Sequence, residues 1–429
     1  MMNKNRFFLF TLIFLTLIVR VVKLDTIPPN INPDEADNMR VILRIVSGKG
    51  PSFFGFDWKP APAFSMYMYL PIYLLMGYSY IGIRITSVLV TTICVVLFFK
   101  LLQKYFSIHI AFLSSLLLAT NYWFLNFSRS GWENSFISLL LVSALILINK
   151  SQSRYFVFAL GCIAALGFYG YFTGLLILPA IIIVYLLKFL IEQKKRYIAN
   201  IVIITIIYLV LISPMLYSVL TSKDLYFRRM RAVSQDVKNE SIYLPQIKKV
   251  LSSFFMLDSK YNNIGINARY SSPTHPFIND KLVPFLIIGF VIGCLHFKKY
   301  LPFIIFYILL IFPIQIITKG TPDGARAVAA APLYFVFVGL GFSIIPRHSK
   351  VILILLYIFV FFVAIDDLKI YTSWINSAKT LEIRQPVLET EDYDNWREAQ
   401  FFVIKNINNQ GFTVDDWNKI KKDLHKSSN

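Results

Sequence analysis

Charged residues are scarce in this sequence. They make up only 16% of its 429 residues, whereas hydrophobic residues make up 56%. A soluble domain carries roughly a quarter charged residues, so a water-soluble globular protein is excluded. Cysteine is scarce too: Cys94, Cys162 and Cys294 each lie in an apolar stretch without a nearby partner. The sequence therefore predicts neither a disulfide framework nor a zinc site, and the thiols are expected to serve as packing residues.

Motifs of soluble hydrolases are missing as well. The chain has no nucleophile elbow, no zinc-binding motif and no glycine loop of the kind that cradles a phosphate. Lys and Arg number 43 against 24 Asp and Glu, which gives a formal net charge of +19. Nucleic-acid binding would explain such an excess, but the basic residues lie mostly in short loops between apolar stretches. Membrane topology explains this placement better, so we expect no nucleic-acid partner.

Long apolar stretches are what the sequence has in abundance. A helix needs about 20 apolar residues to cross the hydrocarbon core of a bilayer. The first stretch lacks a following small-residue cleavage site, which favours a retained signal anchor. The glycine-rich segment 167–174 suggests a hairpin, with one long tilted helix over 155–188 as the alternative. About eleven spans are predicted: 7–22, 80–103, 108–126, 132–149, 155–170, 172–188, 198–220, 281–297, 301–318, 327–346 and 351–366.

Basic loops mark one side of this all-α polytopic membrane protein. Lys and Arg precede the first span and follow each even-numbered one. By the positive-inside rule this side is cytoplasmic, which places the N-terminus inside and the C-terminus outside the plasma (inner) membrane. Residues 1–366 are predicted to form one transmembrane module with outer loops 23–79 and 221–280. Residues 367–429 are predicted to form a polar tail on the non-cytoplasmic side.

The first outer loop begins an amphipathic helix at residues 32–35, with the sequence Asn-Pro-Asp-Glu. Asn32 suits the cap, proline suits the first helical position, and Glu35 falls where a capping-box acid belongs. Acids there also stabilise the helix dipole by about 0.3–1 kcal/mol, which is a purely structural explanation. Alternatively, Asp34 is a general base at the boundary between water and membrane, where partial burial raises a carboxyl pKa.

A proline-stiffened turn at 57–64 follows, and it leads into a second, aromatic-rich interfacial helix that ends at Gly77. Lys59 is the only cation in that turn. Its side chain either snorkels to the interface or supplies a point charge for a lipid phosphate.

These segments together resemble the family 39 glycosyltransferases, which are relatives of the protein O-mannosyltransferases and aminoarabinose transferases. The similarity covers roughly residues 1–345 and depends on the order and placement of several short segments. They are Asp34-Glu35 at the start of an interfacial helix, Lys59-Pro60-Ala61-Pro62 before the second, Gly82-Ile83-Arg84 entering the second span, 126–133 after the third, and 167–179 with 321–332 further on.

The resemblance implies a C-type glycosyltransferase fold and a sugar transfer from a polyprenyl-phosphate donor to a hydroxyl, usually with inversion. It implies that Asp34 is the catalytic base and that Glu35 is its neighbour in the same site. Lys59 corresponds to the residue that holds the donor phosphate, and Arg129 and Arg326 add positive charge. Each arginine has a structural alternative, as an interface anchor or as the partner of a carboxylate. The enzyme would be a hexosyl or pentosyl transferase.

Departures from the aminoarabinose branch matter for the substrate. That branch has an acid directly before the Lys-Pro pair, where this chain has Trp58, and an Arg where this chain has Asp37. Neither its sugar nor its acceptor is therefore assumed here. His275 and Asp57 are candidates for binding an acceptor or a metal, and a divalent metal is left open. The rival interpretations are a transporter or lipid flippase, and an inactive relative of the fold.

Overall fold

The computed structural model describes residues 4–29, 32–53, 55, 62–77, 79–150, 153–221, 243–255, 268–318, 322–345, 349–377 and 380. These residues are almost entirely helical, and the described part of the chain contains no β-strand. In chain order the helices are α1 Lys4–Val21, α2 Pro33–Val46, α3 Phe64–Leu75, α4 Tyr80–Leu102, α5 Ile108–Thr120, α6 Tyr122–Ser128, α7 Asn134–Ile148, α8 Arg154–Tyr169, α9 Ile177–Glu192, α10 Arg196–Thr221, α11 Tyr243–Phe255, α12 Val283–Leu295, α13 Phe297–Ile317, α14 Gly324–Ala327, α15 Ala331–Phe342 and α16 Lys350–Ile375.

Each predicted span coincides with a helix, but only some helices are long enough to cross a bilayer. Six helical segments of the described chain pass by length and composition, and a seventh passes if α5 and α6, which meet at a bend of 64°, form one broken span. Helices α7, α8 and α12 have 15, 16 and 13 residues, fewer than the roughly 20 that a full crossing needs. The multi-pass architecture is therefore confirmed, and the count of eleven spans stays a prediction.

Segment 167–174 forms a break between two helices, as predicted. Helix α8 ends at Tyr169, a short 3₁₀ turn covers Phe172–Leu176, and α9 then begins. A Cβ atom added at Gly167 would lie 2.7 Å from the carbonyl oxygen of Gly174, so the two backbones approach more closely than any larger residue allows. The alternative of one long tilted helix over 155–188 is excluded.

Some helices lie in the interior of the bundle, and others form its apolar surface. Every residue of α15 is buried, and a Cβ at Gly289 of α12 would collide with the backbone of Phe337, so small residues allow close packing. Helices α10 and α16 instead expose apolar side chains on one face, including Ile206, Val210, Ile358 and Phe362. Such a surface is typical of contact with lipid.

Helix α2 has the predicted cap and amphipathic character. The side chain of Asn32 accepts a hydrogen bond from the backbone of the first turn, and the carboxylate of Glu35 accepts one from the backbone N–H of Asn32, which completes a capping box. Met39, Ile42 and Leu43 are buried in one apolar cluster with Tyr69 of α3. The 14 residues of α2 span about 21 Å, too short to cross the roughly 30 Å hydrocarbon core.

The last described helix is longer than predicted. Helix α16 continues to Ile375 instead of ending at 366. Its extension packs on the bundle, because the indole nitrogen of Trp374 donates to the carbonyl of Ala268 at 3.0 Å. The polar tail beyond residue 380 lies outside the described residues.

Candidate active site

Asp34 lies in the first turn of α2, and its carboxylate is open to the surroundings. Its side chain is 27% exposed. Oδ2 accepts a hydrogen bond of 2.8 Å from the hydroxyl of Tyr270, and Nη1 of Arg269 lies 3.4 Å from the same oxygen. Among the described residues, Oδ1 accepts no hydrogen bond. Hydrogen bonds therefore hold the carboxylate through Oδ2, and Oδ1 is left to interact with a substrate.

The adjacent carboxylate of Glu35 is fully buried. Its Oε1 accepts from Nε of Arg84 at 2.9 Å and from the backbone N–H of Gly131 at 3.0 Å. Its Oε2 accepts from Nη2 of Arg84 and from the backbone N–H of Asn32. Because both oxygens are occupied, this carboxylate connects α2 to α4 and to the loop that follows α6.

Arg84 and Asn38 complete a buried polar layer beneath Asp34. Nη1 of Arg84 donates to the carbonyls of Leu24 and Pro28, both at 3.0 Å. Nδ2 of Asn38 donates to the carbonyl of Gly131 at 2.7 Å and to the carboxylate of Glu133 at 2.9 Å. Buried charged and polar groups need such partners to offset their desolvation, and this network fixes the first turn of α2 on the bundle.

Tyr270 reaches Asp34 from the second long loop. Its ring stacks on Phe127 at a centroid distance of 6.4 Å and meets Trp132 edge-on at 5.4 Å. Burial raises the pKa of the Tyr270 hydroxyl well above its usual value, and the negative charge of Asp34 raises the pKa further. The hydroxyl therefore stays protonated and remains a hydrogen-bond donor to Asp34.

Asp323 and Arg326 form a second pair of opposite charge in the same region. Oδ1 of Asp323 accepts from the backbone N–H groups of Ala325 and Arg326, and Oδ2 lies 3.6 Å from Nε of Arg326. A Cβ at Gly324 would lie 3.2 Å from the carbonyl of Tyr270, so the two segments are in contact. Burial, and to a smaller extent the charge of Asp34, raises the pKa of Asp323. We call Asp34, Arg269, Tyr270, Asp323 and Arg326 the acid–arginine cluster.

Comparison with known proteins identifies the architecture that carries this cluster. A family model described as dolichyl-phosphate-mannose-protein mannosyltransferase matches residues 60–217. The structure is similar to that of ArnT from Cupriavidus metallidurans bound to undecaprenyl phosphate, with a TM-score of 0.60 and 12% sequence identity over 93% of this chain and 73% of that one. The chain has a C-type glycosyltransferase fold.

A second structure with this fold is the Archaeoglobus fulgidus oligosaccharyltransferase in its apo form. The TM-score is 0.56 and the identity 11%, over 87% of this chain and 55% of that one. No curated protein sequence matches the chain significantly. The resemblance to the family 39 membrane glycosyltransferases is confirmed by the fold and by the family model over residues 60–217.

Arg129 binds backbone carbonyl groups near the end of α1. Its guanidinium donates to the backbone carbonyls of Val19, Val22, Lys23 and Ile27, at 2.7–3.2 Å. These carbonyls belong to the end of α1 and the turn after it, where a helix leaves acceptors unsatisfied. The geometry thus agrees with the structural alternative for Arg129.

His275 belongs to a different environment of the glycosyltransferase fold. A hydrogen bond of 2.9 Å joins Nδ1 of its ring to the hydroxyl of Thr274. Burial lowers the pKa of His275, whereas Asp280 and Asp366 raise it and Lys281 lowers it. The described residues contain no group of three or more His, Cys, Asp or Glu side chains that would hold a metal. Lys59 and Asp57 lie outside the described residues, so their roles stay predictions.

The sequence predicted roles for Asp34 and Arg326 but not for the other three members of the acid–arginine cluster. Arg269 and Tyr270 stand only a few residues before His275, which drew the attention instead. Asp323 lies inside a segment that supported the family resemblance, yet it was given no role. The available signal was an acid directly before Gly324, at the entry to an apolar span.

Proposed function

We propose that the protein transfers a sugar from a polyprenyl-phosphate carrier to a hydroxyl of a protein, lipid or cell-envelope glycan, with inversion. The observation that carries the proposal is the partly exposed Asp34 carboxylate, which faces Arg269 in a C-type glycosyltransferase fold. Two names support the donor class: one relative is bound to undecaprenyl phosphate, and the matching family model is described by dolichyl-phosphate mannose. The basic loops support a site on the non-cytoplasmic face.

Asp34 is the general base of the proposed reaction. The acceptor oxygen attacks the anomeric carbon, its proton passes to Oδ1 of Asp34, and the bond between that carbon and the phosphate oxygen breaks. Polyprenyl phosphate leaves with the bonding electrons. One displacement of this kind inverts the anomeric configuration. Tyr270 occupies Oδ2, so the hydrogen bond at 2.8 Å orients the carboxylate without blocking the oxygen that receives the proton.

Cations are needed on the side of the leaving group, since charge develops on the phosphate oxygen as the bond breaks. Arg269 is the described cation nearest to the base, and its guanidinium is suited to bidentate phosphate binding. Lys59 and Arg326 are proposed to contribute further positive charge. Arg129 is assigned to the end of α1, because its donors bind backbone carbonyls there.

The proposal is tested by the release of polyprenyl phosphate from the purified protein. The donors are undecaprenyl phosphates that carry mannose, glucose, galactose or aminoarabinose, offered with a panel of hydroxyl acceptors. We expect release from at least one donor, and its loss in Asp34→Asn. Asp280→Asn is the matched control, because it neutralises a 66% exposed carboxylate and should leave turnover unchanged.

Two results would overturn the proposal. Normal turnover of Asp34→Asn would show that another group removes the proton. Failure of the wild-type protein to bind any of the donors would remove the donor class and favour a transporter or an inactive relative.

A further inference from the structure

Asp323 carries a charge that its visible structural role does not require. Its Oδ1 caps the short helix α14 by accepting from two backbone N–H groups. Asn and Ser cap about as well as Asp, and both are neutral. Burying a carboxylate costs several kcal/mol more than burying a neutral cap. Asp323 as a whole residue is 7% exposed, and burial raises its pKa. A charge at this position therefore needs a role besides capping, and the pair with Arg326 at 3.6 Å supplies only part of it.

The second oxygen of Asp323 is available to a ligand. Oδ2 accepts no hydrogen bond from the described residues, and its distance of 3.6 Å from Nε of Arg326 exceeds that of a hydrogen bond. Solvent reaches the side chains of the acid–arginine cluster to different extents, which are 27% for Asp34, 23% for Arg269, 16% for Arg326 and 10% for Asp323. Asp323 is the most enclosed of these four residues.

Asp323 also belongs to the surroundings of the proposed base. Gly324 packs against the backbone of Tyr270, and the hydroxyl of Tyr270 donates to Asp34. Burial raises the pKa of Tyr171, which lies at the break between α8 and α9, and the charges of Asp323 and Asp34 both raise it further. Asp34 and Asp323 therefore approach one region from two parts of the chain.

We propose that Oδ2 of Asp323 accepts a hydrogen bond from a sugar hydroxyl and thereby determines which sugar the site takes. This inference rests on the proposed glycosyl transfer. A hydroxyl donates readily to a carboxylate, and such charge-assisted hydrogen bonds are about twice as strong as neutral ones. The hydroxyl belongs either to the sugar of the donor or to a sugar of a glycan acceptor. Burial raises the pKa of this carboxyl, whereas the positive charge of Arg326 lowers it and so favours the charged form.

The test separates the charge of Asp323 from its capping role. Asp323→Asn keeps an oxygen that caps α14 and replaces the second acceptor oxygen with a donor. Binding is measured for undecaprenyl phosphate and for the same lipid carrying mannose, glucose, galactose or aminoarabinose. The gain in affinity that the sugar provides is then compared between wild type and variant. Asp323→Ser, a second neutral cap, replaces Asp323→Asn if that variant does not fold.

We expect the wild type to prefer at least one sugar-bearing lipid and the neutral variant to lose about tenfold or more of that preference, as the loss of a hydrogen bond to a charged group predicts. Affinity for bare undecaprenyl phosphate should not decrease. If the donor preference survives but the KM for a glycan acceptor rises about tenfold, the hydroxyl belongs to the acceptor.

A variant that keeps both the donor preference and the acceptor KM would overturn the assignment and leave Asp323 as a helix cap. A wild-type protein that binds neither form of the lipid would contradict the proposed function itself. Asp323→Ala, which removes the cap as well as the charge, should melt lower than Asp323→Asn, which removes the charge alone.

Discussion

Asp34 and Glu35 are consecutive acids in the first turn of α2, yet their carboxylates lie in two different environments. Asp34 is partly exposed and has one occupied oxygen, whereas Glu35 is buried and has both oxygens occupied. Successive side chains on a helix point about 100° apart, so one turn supplies both the open face and the buried anchor. Two consecutive acids can therefore have different roles. Glu35 attaches α2 to the bundle, and Asp34 is the base of the proposed reaction.

The largest effect should come from the open carboxylate. Asp34→Asn keeps the shape and the neighbours of the side chain but removes the base, and general base catalysis contributes about 10²–10⁴-fold to the rate. We expect turnover to fall within that range, with donor binding and melting temperature close to wild type. Single-turnover release of polyprenyl phosphate measures the chemical step directly. A melting temperature far below that of the wild type would show that Asp34 has a structural role like that of Glu35.

The buried carboxylate should respond in the opposite way. Glu35→Gln leaves the buried Arg84 without its carboxylate, and breaking a buried pair costs about 3–5 kcal/mol. We expect a much lower melting temperature in detergent, while the folded fraction retains turnover.

Glu192→Gln is the control for Glu35→Gln, because it removes the same charge from an exposed pair with Lys194. Exposed pairs contribute about 0–1 kcal/mol, so the control should melt near wild type. If Glu35→Gln is stable but inactive, the division between the two acids is wrong.

Tyr270 provides a further test of the role of Asp34, because its hydroxyl donates to that carboxylate. Tyr270→Phe keeps the ring against Phe127 and Trp132 but removes the hydrogen bond of 2.8 Å to Asp34. A hydrogen bond to a charged group contributes about 1.5–3 kcal/mol, so kcat should fall roughly ten- to a hundredfold, with a smaller change in donor KM. Tyr67→Phe, which removes a hydroxyl that donates to the carbonyl of Pro51 at 2.9 Å, is the control. Equal losses in both variants would argue against a specific role.

The smallest effect concerns pH. Burial and the charge of Asp34 raise the pKa of Tyr270 well above 10, which means that the neutral hydroxyl persists as the pH rises. The hydrogen bond to Asp34 is therefore present at all pH values below that raised pKa. The ratio of wild-type to Tyr270→Phe turnover should stay constant between pH 7 and 10. A ratio that declines toward one in this interval would show that the hydroxyl ionises there.

Local sequence patterns predicted the surroundings of Glu35 better than those of Asp34. Asn32 and Glu35 at capping-box spacing predicted the start of α2, and the structure confirms the cap. Residues 167–174 predicted the break between α8 and α9 because glycine allows close backbone contact. Such signals depend on neighbours in the chain, which a single sequence contains.

Long-range contacts account for what the sequence did not predict. Arg269 and Tyr270 meet Asp34 across 235 and 236 positions, and no spacing rule reaches that far. The sequence also left open whether Arg129 binds phosphate or has a structural role, since only tertiary structure shows the carbonyls of Val22 and Ile27 beside its guanidinium. The span count depends similarly on tilt and bending, which packing determines.

The separation of Tyr270 from Asp34 also bears on biosynthesis. A ribosome adds about 5–20 residues per second, so the 236 positions between these residues correspond to roughly ten seconds or more of translation. During that interval Asp34 has been made, but the hydroxyl that orients it has not. The nascent chain consequently acquires its complete reaction centre only after most of its helices have been delivered to the bilayer. For the proposed sugar transfer, an incompletely inserted chain therefore has its base but not the hydroxyl that orients it.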